Sequence, residues 1–196
     1  MSELVASTSE TSAPARFASH TSTAGSEEDV SNPQHKLAPF NPTDISAQQA
    51  GVKLLGLKSE DVLYDLGCGD GRFLFTAFLS NPTMKALVGV EYDRVYYERC
   101  LATAKSIPPC KDKISFIHGD VLEVDLSEAT CIFVYLVPEG LKQIEGKLHE
   151  FLGRGGTRIV SYMFSVPNLN PVEVVSTKGA CKVQLYDSTS LPNKSS

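Results

Sequence analysis

Apolar residues recur along this chain with two periods, and the periods alternate. After Asn41-Pro42-Thr43-Asp44, a segment suited to capping, Ile45, Val52 and Leu55 fall on one helical face and predict a leading helix. Residues 61–66 form a compact apolar run that reads as a first strand, and 71–80, with Phe73, Leu74, Ala77 and Phe78 on one side, as the helix that follows. The same pair repeats: a strand over 86–91, then a helix over 94–106 that Pro108 and Pro109 end. Strands are expected at 114–118 and 130–135. Pro138 suits the first turn of another helix, whose buried stripe is Leu141, Ile144, Leu148, Phe151 and Leu152 and whose stop is Gly153. A fifth strand follows at 157–163. Residues 172–176 and 181–186, joined by Thr177-Lys178-Gly179-Ala180, read as an antiparallel hairpin, and 164–171 is too short for a further full helix.

Alternating strands and helices give an α/β class, a Rossmann-like, doubly wound and mostly parallel sheet with the C-terminal hairpin closing one edge. The expected domain runs over 37–187. Ahead of it, residues 1–36 are crowded with Ser, Thr and Ala and show neither period, so they are expected to be a disordered tail. Residues 188–196 read as a short second tail.

Charge and composition narrow the function. The 196 residues are 42% apolar and 21% charged with a net charge of -5, of which the first 36 carry -3 and the rest only -2. A body so near neutral, with no lysine or arginine stripe, predicts no nucleic-acid partner. No apolar run approaches the roughly 18 to 20 residues of a spanning helix, which predicts no membrane span. The five cysteines are odd in number and widely spaced, with no C-x-x-C, and the histidines His20, His35, His118 and His149 lack ligand spacing, so neither a disulfide frame nor a metal site is expected. A reducing, cytoplasmic home fits this cysteine usage.

The chemistry is concentrated just past the strands, where open α/β sheets bind ligands. Strand one ends in Asp65 and runs into Gly67, Cys68, Gly69 and Gly71. Glycines there permit positive φ and close approach of a ligand to backbone. A nicotinamide fingerprint would need G-x-G-x-x-G, but Arg72 occupies the third glycine's place, and no Gly-Lys-Ser/Thr follows for a Walker loop. An acid before the turn suits an ammonium better than a pyrophosphate. Glu91, at the end of strand two, can accept from both hydroxyls of a ribose, and Asp120, after strand three, from an adenine amine. S-adenosylmethionine carries an ammonium, a ribose diol and an adenine amine but no phosphate. Tyr92 and Val121, next to two of these acids, complete the expected cofactor set, with Cys68 contributing a small side chain.

The motifs D-L-G-C-G-D-G, G-V-E-Y-D and H-G-D-V resemble the class I, seven-β-strand methyltransferases over about Pro39 to Tyr186. P-F-N-P-T, Y-D-L-G-C-G-D-G-R, D-L-S-E-A, Y-L-V-P-E and G-G-T-R-I-V-S-Y-M-F are similar to the lysine methyltransferases acting on the ATP synthase c-subunit and the adenine nucleotide translocase, and to their prokaryotic relatives. That resemblance implies a protein lysine as acceptor and assigns the cofactor to Asp65 and Glu91. It also implies mitochondria, although a polar tail stands where those enzymes carry an apolar anchor.

The expected reaction is direct in-line attack of a neutral lysine ε-amine on the methyl group, without a metal. The amine is placed near Tyr135 and Pro138, with Asn41 and Thr43 as a lid from the leading segment. Tyr135 would orient the amine through its hydroxyl and Glu139 would accept its proton. Plainer readings stand beside these: Tyr135 as packing, and Glu139 as a first-turn acid that complements a helix dipole. The alternatives are a small-molecule or RNA methyltransferase, and a cofactor-binding partner subunit without catalysis.

Overall fold

The computed structural model describes residues 37–110 and 112–192. The expected N-terminal tail lies outside them. Seven strands, β1 (Val62–Leu66), β2 (Ala86–Glu91), β3 (Ile114–His118), β4 (Cys131–Val134), β5 (Arg158–Tyr162), β6 (Glu173–Ser176) and β7 (Lys182–Tyr186), form one sheet in the order β3-β2-β1-β4-β5-β7-β6. β1 to β5 are parallel; β7 runs antiparallel to β5 and β6 antiparallel to β7. The chain leaves β1 toward β2 on one side and returns to β4 on the other, which makes the C-terminal end of β1 the switch point.

Central strands are apolar without alternation because both faces are covered. Val62, Tyr64 and Leu66 of β1 pack into one layer under α4 (Pro138–Gly153), whereas Leu63 joins the opposite layer with α1 (Ile45–Leu55), α2 (Arg72–Ser80) and Cys100 of α3 (Arg94–Ser106). Every residue of β1, β2 and β4 is buried.

Several boundaries differ from expectation for identifiable reasons. Ile45 is 57% exposed, and α1 instead buries Ala47, Gln48, Gly51, Val52 and Leu55. Val52 and Leu55 are buried as expected, but the face also includes a polar residue that apolar periodicity does not show: Gln48 Nε2 donates to the Thr43 carbonyl at 2.8 Å and its Oε1 accepts from Thr76 Oγ1 at 2.6 Å. α4 runs through Gly153 and is followed by Gly155 and Gly156 at φ 72° and 69°, which redirect the chain. β5 ends at Tyr162 rather than at Met163, whose φ is 68°. Ser188–Ser190, read as tail, form a 3-10 turn capped by Asp187, with Ser190 buried.

At the N-terminal ends of the parallel strands Asp61 and Arg158 form a buried ion pair. Asp61 also accepts from the Lys58 N–H at 2.7 Å and from Thr130 Oγ1 at 2.7 Å, and Arg158 Nε donates to the Leu55 carbonyl. One network thereby joins the starts of β1 and β5, the residue before β4 and the end of α1.

Candidate active site

A cavity of about 220 Å³ opens at the switch point. Its floor is the turn after β1. Gly67 and Cys68 both donate backbone N–H to the Val90 carbonyl at 2.9 Å, while Glu91 accepts from the Gly69 N–H at 2.7 Å and the Asp93 N–H at 2.8 Å. The acid closing β2 therefore shapes the turn closing β1. Gly69 sits at φ 57° beneath the Phe40 ring, 2.8 Å from where a Cβ would stand, so a side chain there meets both strain and a neighbour. Phe40 is stacked on Tyr96 of α3 at 4.1 Å between centroids. On the far wall the Asp120 carboxylate accepts from the Leu122 N–H at 2.9 Å, and Lys147 Nζ donates to the Val121 and Leu122 carbonyls at 2.8 and 3.0 Å.

The electrostatics are one-sided. Asp65 is 3% exposed, and burial, with Glu91 and Asp70 nearby, pushes its carboxyl well above the ordinary carboxylate range. Among the described residues, no hydrogen bond offsets that rise. Asp70 differs: hydrogen bonds from Arg72, bidentate at 2.8 and 2.5 Å, hold its carboxyl below the usual value. Arg72 is the one lysine or arginine among the described lining residues, and Asp70 clamps it. Such a cavity fits a ligand that brings positive charge and repels one that brings phosphates. The ammonium and sulfonium of S-adenosylmethionine meet that requirement, and a dinucleotide does not. Asp65, Glu91 and Asp120, the acids expected to hold it, all line the cavity.

The opposite half of the cavity is built from the leading segment and the ends of β4 and β5. Residues 37–43 all line it, anchored by Gln48 and by a close crossing of α4: a Cβ on Gly140 would stand 2.5 Å from the Leu37 carbonyl oxygen. Asn41 Nδ2 donates to the Tyr135 hydroxyl at 2.8 Å, and Tyr135 meets Tyr162 edge-on at 4.7 Å.

The structure brings Asp65, Gly67, Cys68, Gly69, Glu91, Tyr92, Asp120, Val121, Tyr135, Asn41 and Thr43 to this one cavity. It does not bring three others. Gly71 caps α2 and faces Phe75, Cys100 and Phe116. Pro138 and Glu139 open α4 exposed to solvent and outside the lining, whereas Gly140 and Leu141 of the same turn are buried. The sequence reading missed Phe40, Tyr96, Met163 and Phe164, which all line the cavity. Phe40 lay within P-F-N-P-T, and Met163 and Phe164 within G-G-T-R-I-V-S-Y-M-F, without an assigned role; Tyr96 carries no local signal. Among the described residues no group of three or more His, Cys, Asp or Glu side chains is gathered as for a metal ion, and no helix is long and apolar enough to cross a membrane.

Residues 65–173 match the family described as ANTKMT methyltransferase domain. A protein-lysine N-methyltransferase of Saccharolobus islandicus (strain REY15A) is 32% identical over 140 residues, 71% of this chain and 85% of that protein. Among solved structures, an RNA methyltransferase from Salinibacter ruber in complex with S-adenosyl-L-homocysteine superposes with a TM-score of 0.70 at 30% identity, covering 80% of this chain and 97% of that one. Precorrin-6y C5,15-methyltransferase from Geobacter metallireducens GS-15, with a TM-score of 0.59 at 15% identity over 80% and 96% of the two chains, shares the fold.

Proposed function

The chain belongs to the ANTKMT methyltransferase family, is a class I S-adenosylmethionine-dependent methyltransferase, and from that premise we propose that it methylates the ε-amine of a protein lysine. The observation that carries the cofactor half is the buried Asp65 carboxylate at the switch point, held among acids and apolar walls. The acceptor half is supported by the Saccharolobus relative, a protein-lysine N-methyltransferase matched over most of its length.

When bound, S-adenosylmethionine supplies an electrophilic methyl group on a sulfonium. Asp65 would offer its carboxylate to the ammonium, Glu91, which pins Gly69, to the ribose hydroxyls, and Asp120 to the adenine amine. Leu136, Phe133 and the Phe40–Tyr96 pair exclude water around them. The acceptor enters beside Asn41 and Tyr135. A lysine amine in water stays protonated up to about pH 10.4, and it loses its proton to solvent more readily in this apolar setting beside a cation. With the cofactor bound, the neutral nitrogen held beside Tyr135 would take up the methyl group while the bonding pair is left on sulfur, and the added charge on nitrogen would be relieved by a proton lost to water. Glu139, exposed and outside the lining, has no part in this step.

The 30% identical Salinibacter RNA methyltransferase favours a second reading, an RNA acceptor. Against it stand the near-neutral body and the single, already clamped arginine of the lining. Purified protein incubated with methyl-labelled S-adenosylmethionine and a methylation-poor lysate is expected to place label in methyl-lysine after acid hydrolysis. Label found only in nuclease-sensitive material would refute the lysine acceptor.

A further inference from the structure

The Tyr135 hydroxyl stands between two side chains with opposite demands. Asn41 Nδ2 donates to its oxygen at 2.8 Å, and the hydroxyl itself donates to Met163 Sδ at 3.6 Å. Burial and the neighbouring Cys181 raise the Tyr135 phenol above its ordinary value, against the lowering effect of the Asn41 hydrogen bond, so it stays protonated at neutral pH.

Met163 reaches this position at a cost. Its φ of 68° lies in the left-handed region, a conformation worth about 1 to 2 kcal/mol against a residue with a side chain. The backbone is fixed there by its N–H, which donates to the Lys182 carbonyl at 2.7 Å, and the kink ends β5 and brings the thioether to the cavity wall. Strain beside a cavity, in a residue that contributes one weak acceptor, asks for a reason.

A phenol has one proton and two lone pairs on oxygen. With the proton directed to Met163 and one lone pair occupied by Asn41, the oxygen presents itself to the cavity as an acceptor and not as a donor. We propose that Asn41 and Met163 are positioning residues that fix the polarity of Tyr135, so that its oxygen receives an N–H from the acceptor amine. A hydroxyl free to turn would donate to the amine lone pair, the same pair that must attack the methyl group. A hydroxyl whose proton is parked on sulfur holds the amine and leaves that pair available. The inference rests on the amine-acceptor reading above.

A four-member cycle of wild type, Met163→Leu, Tyr135→Phe and the double variant tests it, with initial rates of methyl-lysine formation read across a dilution series of a methylation-poor lysate. Met163→Leu keeps the volume and removes the acceptor. It is expected to lower the saturating rate about tenfold, the size of one misdirected hydrogen bond, with little change in half-saturation and unchanged calorimetric affinity for the cofactor. In the Tyr135→Phe background the same change is expected to add nothing, because no hydroxyl remains to direct. Met163→Gln, which restores an acceptor at the end of a similar chain, is expected to recover most of the rate. An unaffected rate in Met163→Leu, losses that multiply in the double variant, or no recovery in Met163→Gln would each assign Met163 to packing and overturn the proposal. A wild-type protein that labels no lysine would instead remove the acceptor reading on which it rests.

Discussion

Glu91 and Gly69, at the ends of neighbouring strands, are joined by a 2.7 Å hydrogen bond from backbone to carboxylate, so the acid expected to hold a ribose also holds the turn that forms the cavity floor. Its other oxygen accepts from the Asp93 N–H that opens α3. An amide supplies only one acceptor to meet those two donors. Glu91→Gln is therefore expected to cost about 2 kcal/mol of stability in denaturant unfolding and to weaken cofactor affinity at least tenfold by calorimetry. A variant that loses affinity at full stability would separate the two roles and contradict this coupling.

Asp65 has the opposite balance, since its burial is useful only when a cation arrives. Its carboxyl is raised in the folded protein, so between the unfolded value and the raised value the native state binds more protons than the unfolded one. The contribution of Asp65 to the stability of the ligand-free protein is then greatest at low pH within that window and is lost as pH rises through the folded value. Asp65→Asn is expected to raise the melting temperature of the ligand-free protein at neutral pH and to flatten this dependence. The same change should weaken S-adenosylmethionine binding by about tenfold to a hundredfold. Titration calorimetry in two buffers of different ionisation heat should show proton release on binding to the wild type and none for the variant.

Gly140 is the third residue of α4, a helical position where alanine is ordinarily favoured over glycine. Here the added methyl would stand 2.5 Å from the Leu37 carbonyl oxygen. Gly140→Ala is expected to displace the leading segment, seen as faster amide exchange over 37–43, and to reduce methyl transfer while the sheet amides stay protected. An unchanged exchange pattern would show that the segment is held elsewhere.

The Asp61–Arg158 network lies at the other end of the strands from the cavity. Burial alone would raise the Asp61 carboxyl, but hydrogen bonds from Arg158, the Lys58 N–H and Thr130 bring it below its ordinary value. Its contribution is accordingly present above the unfolded carboxylate value and lost as pH falls through the folded one. Arg158→Leu leaves a buried carboxylate unpaired and is expected to destabilise by about 3 kcal/mol. Cofactor affinity of the folded fraction should not change, which distinguishes this variant from those at the switch point.

The order of elements was legible because each strand and helix carries its own period, and the cavity's acids because they stand at or just past strand ends: Asp65, Glu91 and Asp120 converge from three neighbouring strands. Where burial depended on a polar side chain, periodicity failed, as at Gln48 in α1, whose hydrogen bonds to Thr43 and Thr76 exist only after packing. Gly71 shows a similar limit. Its place in the glycine series suggested the ligand, yet its direction was set by the turn, which aims it at Phe116 and Cys100.

The sequence by itself determined the sheet, the switch point and the charge of the cofactor half, since those follow from local period and from which residues end each strand. It also named Asn41 and Tyr135 for the expected acceptor half, but only the tertiary structure joined them to Met163 and separated them from Glu139. Asn41, Tyr135 and Met163 meet at one hydroxyl although 94 and 28 residues separate them in pairs, while Glu139, close to Tyr135 along the chain, is exposed to solvent in the first turn of α4. Proximity along the chain fixes what a residue can do locally, but the direction of a side chain across a cavity is set by the packing of distant segments against each other.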